Sequence, residues 1–276
     1  MNRLGRIGYL NVLPIYHPLE AGWLSHGFTF TSGPPAELNR LIRAGQLDFS
    51  SVSSVEYARH PDRYLLLPDL AIASCGPVKS VLLLSRVPVE SLGGKPLLVT
   101  SESHTSAALL RIVLKRVYGV IPRYETAPHS IRQALSQGAE APAVLAIGDE
   151  ALSLRTDPRF PHQLDLGEVW RDWTGLPFVF GVWVVRRQAA EHHPQKALAA
   201  ARLLAESKRV GVAAIEEIVS LAALSKTNLD RATLRRYFDR LGYDLGPDEQ
   251  AGLRLFFQSL AEHGIIDTAP ELEILS

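Results

Sequence analysis

The sequence predicts an α/β fold of two lobes, with a ligand cleft between them and a helical C-terminal part. Three observations predict it. Short apolar runs alternate with helical patterns up to about residue 187, the order that layered α/β structure produces. Several of these runs are β-branched or leucine-rich without strict alternation, as in parallel strands buried on both faces. From Gln188 onward the pattern is helical throughout.

The first expected strand, Arg6–Leu10, stops at Asn11, and a segment containing Pro14 begins at once. Asparagine is a favoured N-cap, and proline is tolerated early in a first helical turn. Asn11 is therefore expected at the mouth of a helix N-terminus, where free N–H groups and the helix dipole suit an anion. A purely structural cap is the alternative at this point.

Further strands are expected at Phe28–Thr31, Asp48–Val52, Tyr64–Ala73, Lys79–Ser85, Pro96–Thr100, Arg123–Thr126, Ala143–Ile147 and Phe178–Val185. Helices are expected at Pro35–Ala44, Ser53–His60, Thr105–Tyr118 and Ser130–Gln137, and in the tail at Lys196–Ala223, Thr233–Leu241 and Pro247–His263. A boundary is expected at Lys79–Ser85, because Pro88 and Gly93-Gly94 punctuate the next loop before a new alternation starts at Leu97. The return crossing is expected at Phe178–Arg187. Residues 1–84 plus 186–276 then form lobe one, and residues 85–185 form lobe two. Two lobes joined by two strands are the layout of type II periplasmic-binding-protein folds, which close on a ligand by hinge motion. The cleft between such lobes is a favoured place for a small molecule.

A chain of 276 residues has room for about two domains. Its 46% hydrophobic and 21% charged residues are those of an ordinary globular protein. Lys+Arg and Asp+Glu number 29 each, so no global field draws it to nucleic acid or to an anionic membrane. Local groups must hold any anionic ligand. Cys75, the single cysteine, excludes an internal disulfide and a cysteine metal cluster and fits a reducing compartment. The opening MNRLGRIGYL lacks a signal-peptide apolar region, and no stretch approaches a membrane span. A cytoplasmic location is expected. HExxH, GxSxG and CxxC are absent, and nucleotide binding by a glycine-rich phosphate fingerprint is unsupported.

Three polar clusters would face the cleft. Asp48–Ser54 ends a strand in hydroxyls and enters a helix, so Ser53 or Ser54 is expected to cap that helix, with ligand contact as the second reading. In Cys75–Ser80 a turn explains Gly76-Pro77 but not a hydroxyl, Ser80, opening an apolar strand. Thr100–Ser106 gathers hydroxyls at a helix start, which favours a carboxylate or phosphate. His104 is a weaker ligand candidate, and His192-His193 reads as a solvated loop. Trp170, Trp173 and Trp183 read for the most part as core or hinge packing rather than ligand stacking. From the residues alone this is a two-lobed protein for a small anion, with enzyme and receptor both open.

Six segments in order, GYLNVLPIY, SVSSVEYA, CGPVKSVLLLSRVP, TSESHTSAALL, AIGDEAL and DLGEVWRDWTGLPFVFGVW, resemble the menaquinone biosynthesis proteins of the futalosine route. Within that family they are most similar to the chorismate dehydratases. The resemblance extends to about Arg187 and weakens in the C-terminal helices. It implies conversion of chorismate to 3-[(1-carboxyvinyl)oxy]benzoate by loss of water, with no metal or organic cofactor. It further implies Asn11 and Ser80 as catalytic residues, Ser53 as a cleft hydroxyl, and Thr105 and Ser106 as holders of a substrate carboxylate. Asp149, in the Gly148-Asp149 motif, is implied as a substrate-binding residue, with a helix cap as the equal alternative. The homologous 1,4-dihydroxy-6-naphthoate synthases are expected to carry a histidine where Gly148 stands and an Asn-Asp pair in the first motif. Both departures favour the dehydratase. A carboxylate receptor of the same fold without catalysis is the second class.

Overall fold

The computed structural model describes residues 2–100, 104–127, 130–224 and 229–276. The chain begins with β1 (Arg3–Ile7), a 3₁₀ turn (Leu10–Val12) and α1 (Leu13–Glu20). Next come β2 (Thr29–Gly33), α2 (Pro35–Arg43), β3 (Phe49–Ser53), α3 (Ser54–Arg59) and the long β4 (Tyr64–Ser74). The middle of the chain holds β5 (Val81–Ser85), β6 (Pro96–Thr100), α4 (His104–Arg116), β7 (Arg123–Ala127) and α5 (Ile131–Ser136). It continues with β8 (Ala143–Ile147), α6 (Gly148–Leu154), β9 (His162–Asp165) and α7 (Leu166–Thr174). After β10 (Phe178–Arg186) come α8 (Arg187–His192), α9 (Pro194–Ala213), α10 (Ile215–Leu224), α11 (Arg231–Phe238) and α12 (Pro247–Glu262).

The strands form two five-stranded sheets, ordered β2-β1-β3-β10-β4 and β7-β6-β8-β5-β9. Parallel pairing joins β1 to β2 and β3, and β6 to β7 and β8. The strands next to the crossings run the other way: β10 is antiparallel to β3 and β4, and β5 to β8 and β9. The sheets are therefore mixed rather than mainly parallel.

Sheet membership also moves the boundaries. β5 pairs with the middle of the chain and β10 with its ends, so the crossings lie between Ser74 and Val81 and between Asp165 and Phe178. The expected divisions at 84/85 and 185/186 fall one strand too late. Both strands are apolar on both faces, so their residue pattern carries no cue to which sheet takes them.

Two other expectations shift. The first strand is Arg3–Ile7 rather than Arg6–Leu10. Leu10 is apolar because it docks against Leu152, Ile218, Leu234 and Tyr237, not because it is a strand residue. The expected helix Lys196–Ala223 breaks at Ala214 into α9 and α10. The two halves bury different faces: α9 presents Ala197, Ala201 and Leu204 to the core around Tyr16 and Trp183. In α10, Ile218, Val219 and Ala222 turn toward the cluster around Leu10.

The C-terminal helices thereby lock the ends of the site in place. Gly211 of α9 meets α1 so closely that a Cβ there would lie 1.9 Å from the Pro14 carbonyl oxygen. Ser207 Oγ donates to the Ile15 carbonyl at 2.6 Å in the same contact. α12 closes the other side, with Phe256 edge-on to Trp170 and Phe178. Trp170 Nε1 donates to the Pro177 carbonyl at 3.2 Å, so Trp170 is a packing residue. The buried Trp183 both packs against Tyr16 and lines the cleft, and Trp173 is 40% exposed. Among the described residues no helix is long and apolar enough to cross a membrane.

Candidate functional site

A cavity of about 130 Å³ lies between the lobes. Lobe one contributes Asn11, Asn39, Ser51 and Ser53; from across the cleft come Ser80, His104, Thr105, Ser106 and Gly148. Among the described lining residues there is no Lys, Arg, Asp or Glu. The polar groups facing the cavity are hydroxyls, amides and one imidazole.

Asn11 does not cap α1. The N-cap is Val12, with no side-chain bond, and Asn11 sits inside the 3₁₀ turn that Tyr9 precedes. The inserted turn carries the helix start past Asn11, whose Oδ1 is buried at the cavity with no hydrogen-bond partner. Pro14 does lie in the first turn of α1, as expected. Burying an unpaired polar atom costs about 1–3 kcal/mol, a cost that a donor placed in the cavity would remove.

Ser53 takes the capping role, the first of its two readings. Its hydroxyl accepts the Glu56 N–H at 3.2 Å, capping α3, and it also lines the cavity. Ser54 is buried instead and donates to the Val179 carbonyl at 2.6 Å.

Thr105 and Ser106 lie in the first turn of α4 and reach the cavity. Thr105 Oγ1 accepts the Val55 N–H of α3, in the other lobe, at 3.0 Å. That leaves the hydroxyl proton to donate. His104 is at the cavity too, its imidazole held below the usual range by desolvation and then by Arg59. The expected hydroxyls Ser101 and Ser103 lie outside the described residues.

Ser80 sits in the first crossing, just ahead of β5, and its carbonyl accepts the Gly148 N–H at 2.7 Å. Its hydroxyl interacts with that of Tyr237, a fully buried phenol whose pKa burial pushes far up. Tyr237 comes from α11, so the helical tail backs the site. The cavity floor is also tied: Tyr16 donates to the Gly5 carbonyl at 2.8 Å and accepts from Trp183 Nε1 at 3.2 Å. Burial raises the Tyr16 phenol to about 12.

Asp149 is not among the described cavity-lining residues, and it is not a cap, since α6 starts from Ile147 without a side-chain bond. Burial raises its carboxyl to about 6, opposed by a hydrogen bond from the Leu10 N–H. Asp149 thus ties the turn that carries Asn11 to α6 across the cleft. Its neighbour Gly148 has φ +57°, with the Tyr9 ring 3.7 Å from where a Cβ would stand.

Asn39 was not foreseen from the sequence. It is 4% exposed, lines the cavity, and has an Oδ1 without a partner. The available signal was an amide on the apolar face of α2, among Leu38, Leu41 and Ile42.

Two α/β lobes around a polar cleft define the class, a two-lobed ligand-binding fold. The periplasmic aliphatic sulphonate binding protein SsuA of Escherichia coli shares it, with a TM-score of 0.69 at 15% identity over 99% of this chain and 97% of that one. A family model described as menaquinone biosynthesis matches residues 2–262, and the chain belongs to that family. Chorismate dehydratase of Thermus thermophilus is 35% identical over 93% of this chain and 94% of that protein. The 1,4-dihydroxy-6-naphthoate synthase of the same organism is 28% identical over 81% of this chain and 80% of that protein.

Proposed function

We propose that this chain is a hydro-lyase that converts chorismate to 3-[(1-carboxyvinyl)oxy]benzoate and water, a step of the futalosine route to menaquinone. The observation that carries the proposal is the cavity itself: unpartnered amide oxygens on Asn11 and Asn39 face hydroxyls at the start of α4. Chorismate loses its C3 proton and C4 hydroxyl, and the ring becomes aromatic, so much of the driving force is intrinsic. A site of hydrogen bonds suits such a reaction better than a strong base.

The elimination proceeds in E1cB fashion, with the ring carboxylate taking up charge as the C3 proton leaves. Ser80, Thr105, Ser106 and the α4 N-terminus hold the carboxylates, and Ser53 completes that wall. Preorganised donors of this kind are typically worth about 3–4 kcal/mol each. Asn11 orients the departing hydroxyl, whose O–H supplies the donor its buried oxygen lacks, and Asn39 serves the substrate's other polar edge. The enolpyruvyl carboxylate, held near C3, accepts the proton and passes it to the C4 hydroxyl as the C4–O bond breaks, so that the leaving group departs as water. Asp149 acts at one remove, by fixing the turn that carries Asn11.

The naphthoate synthase reading is less favoured, because Gly148 stands in a left-handed backbone conformation against the Tyr9 ring, where a histidine is strained. A receptor without catalysis has the same fold. Mixing the protein with chorismate and following a new aromatic product by absorbance and mass separates the two. Product with the mass of chorismate less water supports the proposal; saturable binding with no product contradicts it.

A further inference from the structure

A second cavity, also about 130 Å³, opens between the first crossing, the end of α6 and α11. Lys79, Arg155, Arg236 and Arg240 line it, with Thr233 and Tyr237, and among the described residues no carboxylate does. No ion pair among the described residues engages any of the four cations. Elsewhere on the same tail arginines are paired, as Arg231 and Arg235 are with Glu216. Four like charges lining one small space repel one another, eased at Arg236 by the exposed Asp230, and an anion among them would relieve the rest.

The cavity is held in shape. Lys79 is one of two described non-glycine residues with positive φ, at 66°, a conformation that persists only where surrounding bonds over-determine it. Here Asp165 does so, accepting the N–H groups of Val78 at 3.1 Å and of Lys79 at 2.7 Å. Across the cavity, Arg236 Nη2 donates to Thr233 Oγ1 at 3.0 Å, and the Thr233 hydroxyl is in turn bonded to the Asp230 carboxylate, which fixes the Arg236 guanidinium in place. Guanidinium forks with a lysine match an oxyanion that offers several oxygens in a small volume.

We propose that this cavity is a second binding site, for a compact oxyanion with at least two negative charges, a phosphoryl group being the simplest that fits. It is separate from the cleft between the lobes and adjoins it: Lys79 precedes Ser80, and Tyr237 lines the basic cavity while its hydroxyl meets that of Ser80. The assignment does not depend on the reaction proposed above.

Calorimetric titration of the full chain with pyrophosphate, at fixed low ionic strength, tests it. Saturable binding of one anion per chain is expected, weakened at least tenfold in the double variant R236A/R240A. Both arginines are exposed, so that variant is expected to keep its fold and its turnover of chorismate. Asn11→Ala, which alters only the first cavity, is expected to bind pyrophosphate as the parent does. Benzoate, with a single charge, is expected to give no saturable heat. Absence of pyrophosphate binding, equal affinity in R236A/R240A, a matching loss in Asn11→Ala, or equal affinity for benzoate each overturns the assignment.

Discussion

Thr105 Oγ1 accepts the Val55 N–H at 3.0 Å, and that bond crosses from one lobe to the other. Val55 lies in the first turn of α3, where backbone N–H groups have no partner within their own helix. Lobe two therefore supplies a cap to a helix of lobe one at the edge of the cleft. Thr105→Val keeps the shape and removes the acceptor, leaving the buried N–H unpaired at about 1–3 kcal/mol. A lower denaturation midpoint and a raised KM for chorismate are expected, with Thr105→Ser restoring both. An unchanged midpoint in Thr105→Val would show that the contact contributes nothing.

Asn39 invites the opposite stability effect. Its amide oxygen is buried without a partner, which costs stability. Asn39→Leu has nearly the same volume and no polar atom. The variant is expected to melt higher than the parent, by the equivalent of about 1 kcal/mol, while kcat/KM falls at least tenfold. A variant that melts lower and turns over normally would make Asn39 a structural residue.

Asp149 gives a pH signature. Burial raises its carboxyl to about 6 from 3.8, so between those values the folded chain binds more protons than the unfolded one. Stability contributed by this group is therefore highest below about pH 4, falls as pH rises toward 6, and above 6 a penalty of about 3 kcal/mol is fully present. Asp149→Asn retains an acceptor for the Leu10 N–H and removes the charge. Urea midpoints are expected to coincide near pH 4 and to favour the variant increasingly up to about pH 6. Parallel curves across that range would rule out the buried carboxylate as their source.

Gly211 tests how the tail holds the site. A Cβ at this position lies 1.9 Å from the Pro14 carbonyl oxygen, a backbone atom that cannot swing aside. Gly211→Ala is expected to separate α9 from α1, at about 1–3 kcal/mol or more, and to lower turnover because α1 follows directly on the Asn11 turn. Val212→Ala, one residue on and 42% exposed, is expected to change stability by no more than about 0.5 kcal/mol. Thermal melts of the two variants side by side make the comparison.

Much of the architecture was legible because its signals are local. Apolar runs marked most strands, and hydroxyls at helix starts marked Ser53, Thr105 and Ser106, all three of which reach the cavity. Asn11 was legible as a position but not as a geometry, since an asparagine ahead of a proline looks the same before a 3₁₀ turn as at an α-helical cap. What stayed hidden depends on distant partners. The place of β10 in the first sheet follows from its pairing with β3 and β4, and Asp149 meets Leu10 through folding alone. One local signal was passed over: Asp165 caps α7 through the N–H groups of Gly167 and Glu168, as its spacing before Glu168 allows.

The central claim is that the cleft turns chorismate over and that Asn11 acts on it. Its most direct test is product formation by the parent chain and by Asn11→Ala, each at saturating chorismate, with binding measured in parallel. The expected result is an aromatic product lighter than chorismate by one water from the parent, and turnover reduced at least a hundredfold in the variant with binding retained. Parental turnover by Asn11→Ala, or no product from the parent chain, would contradict it.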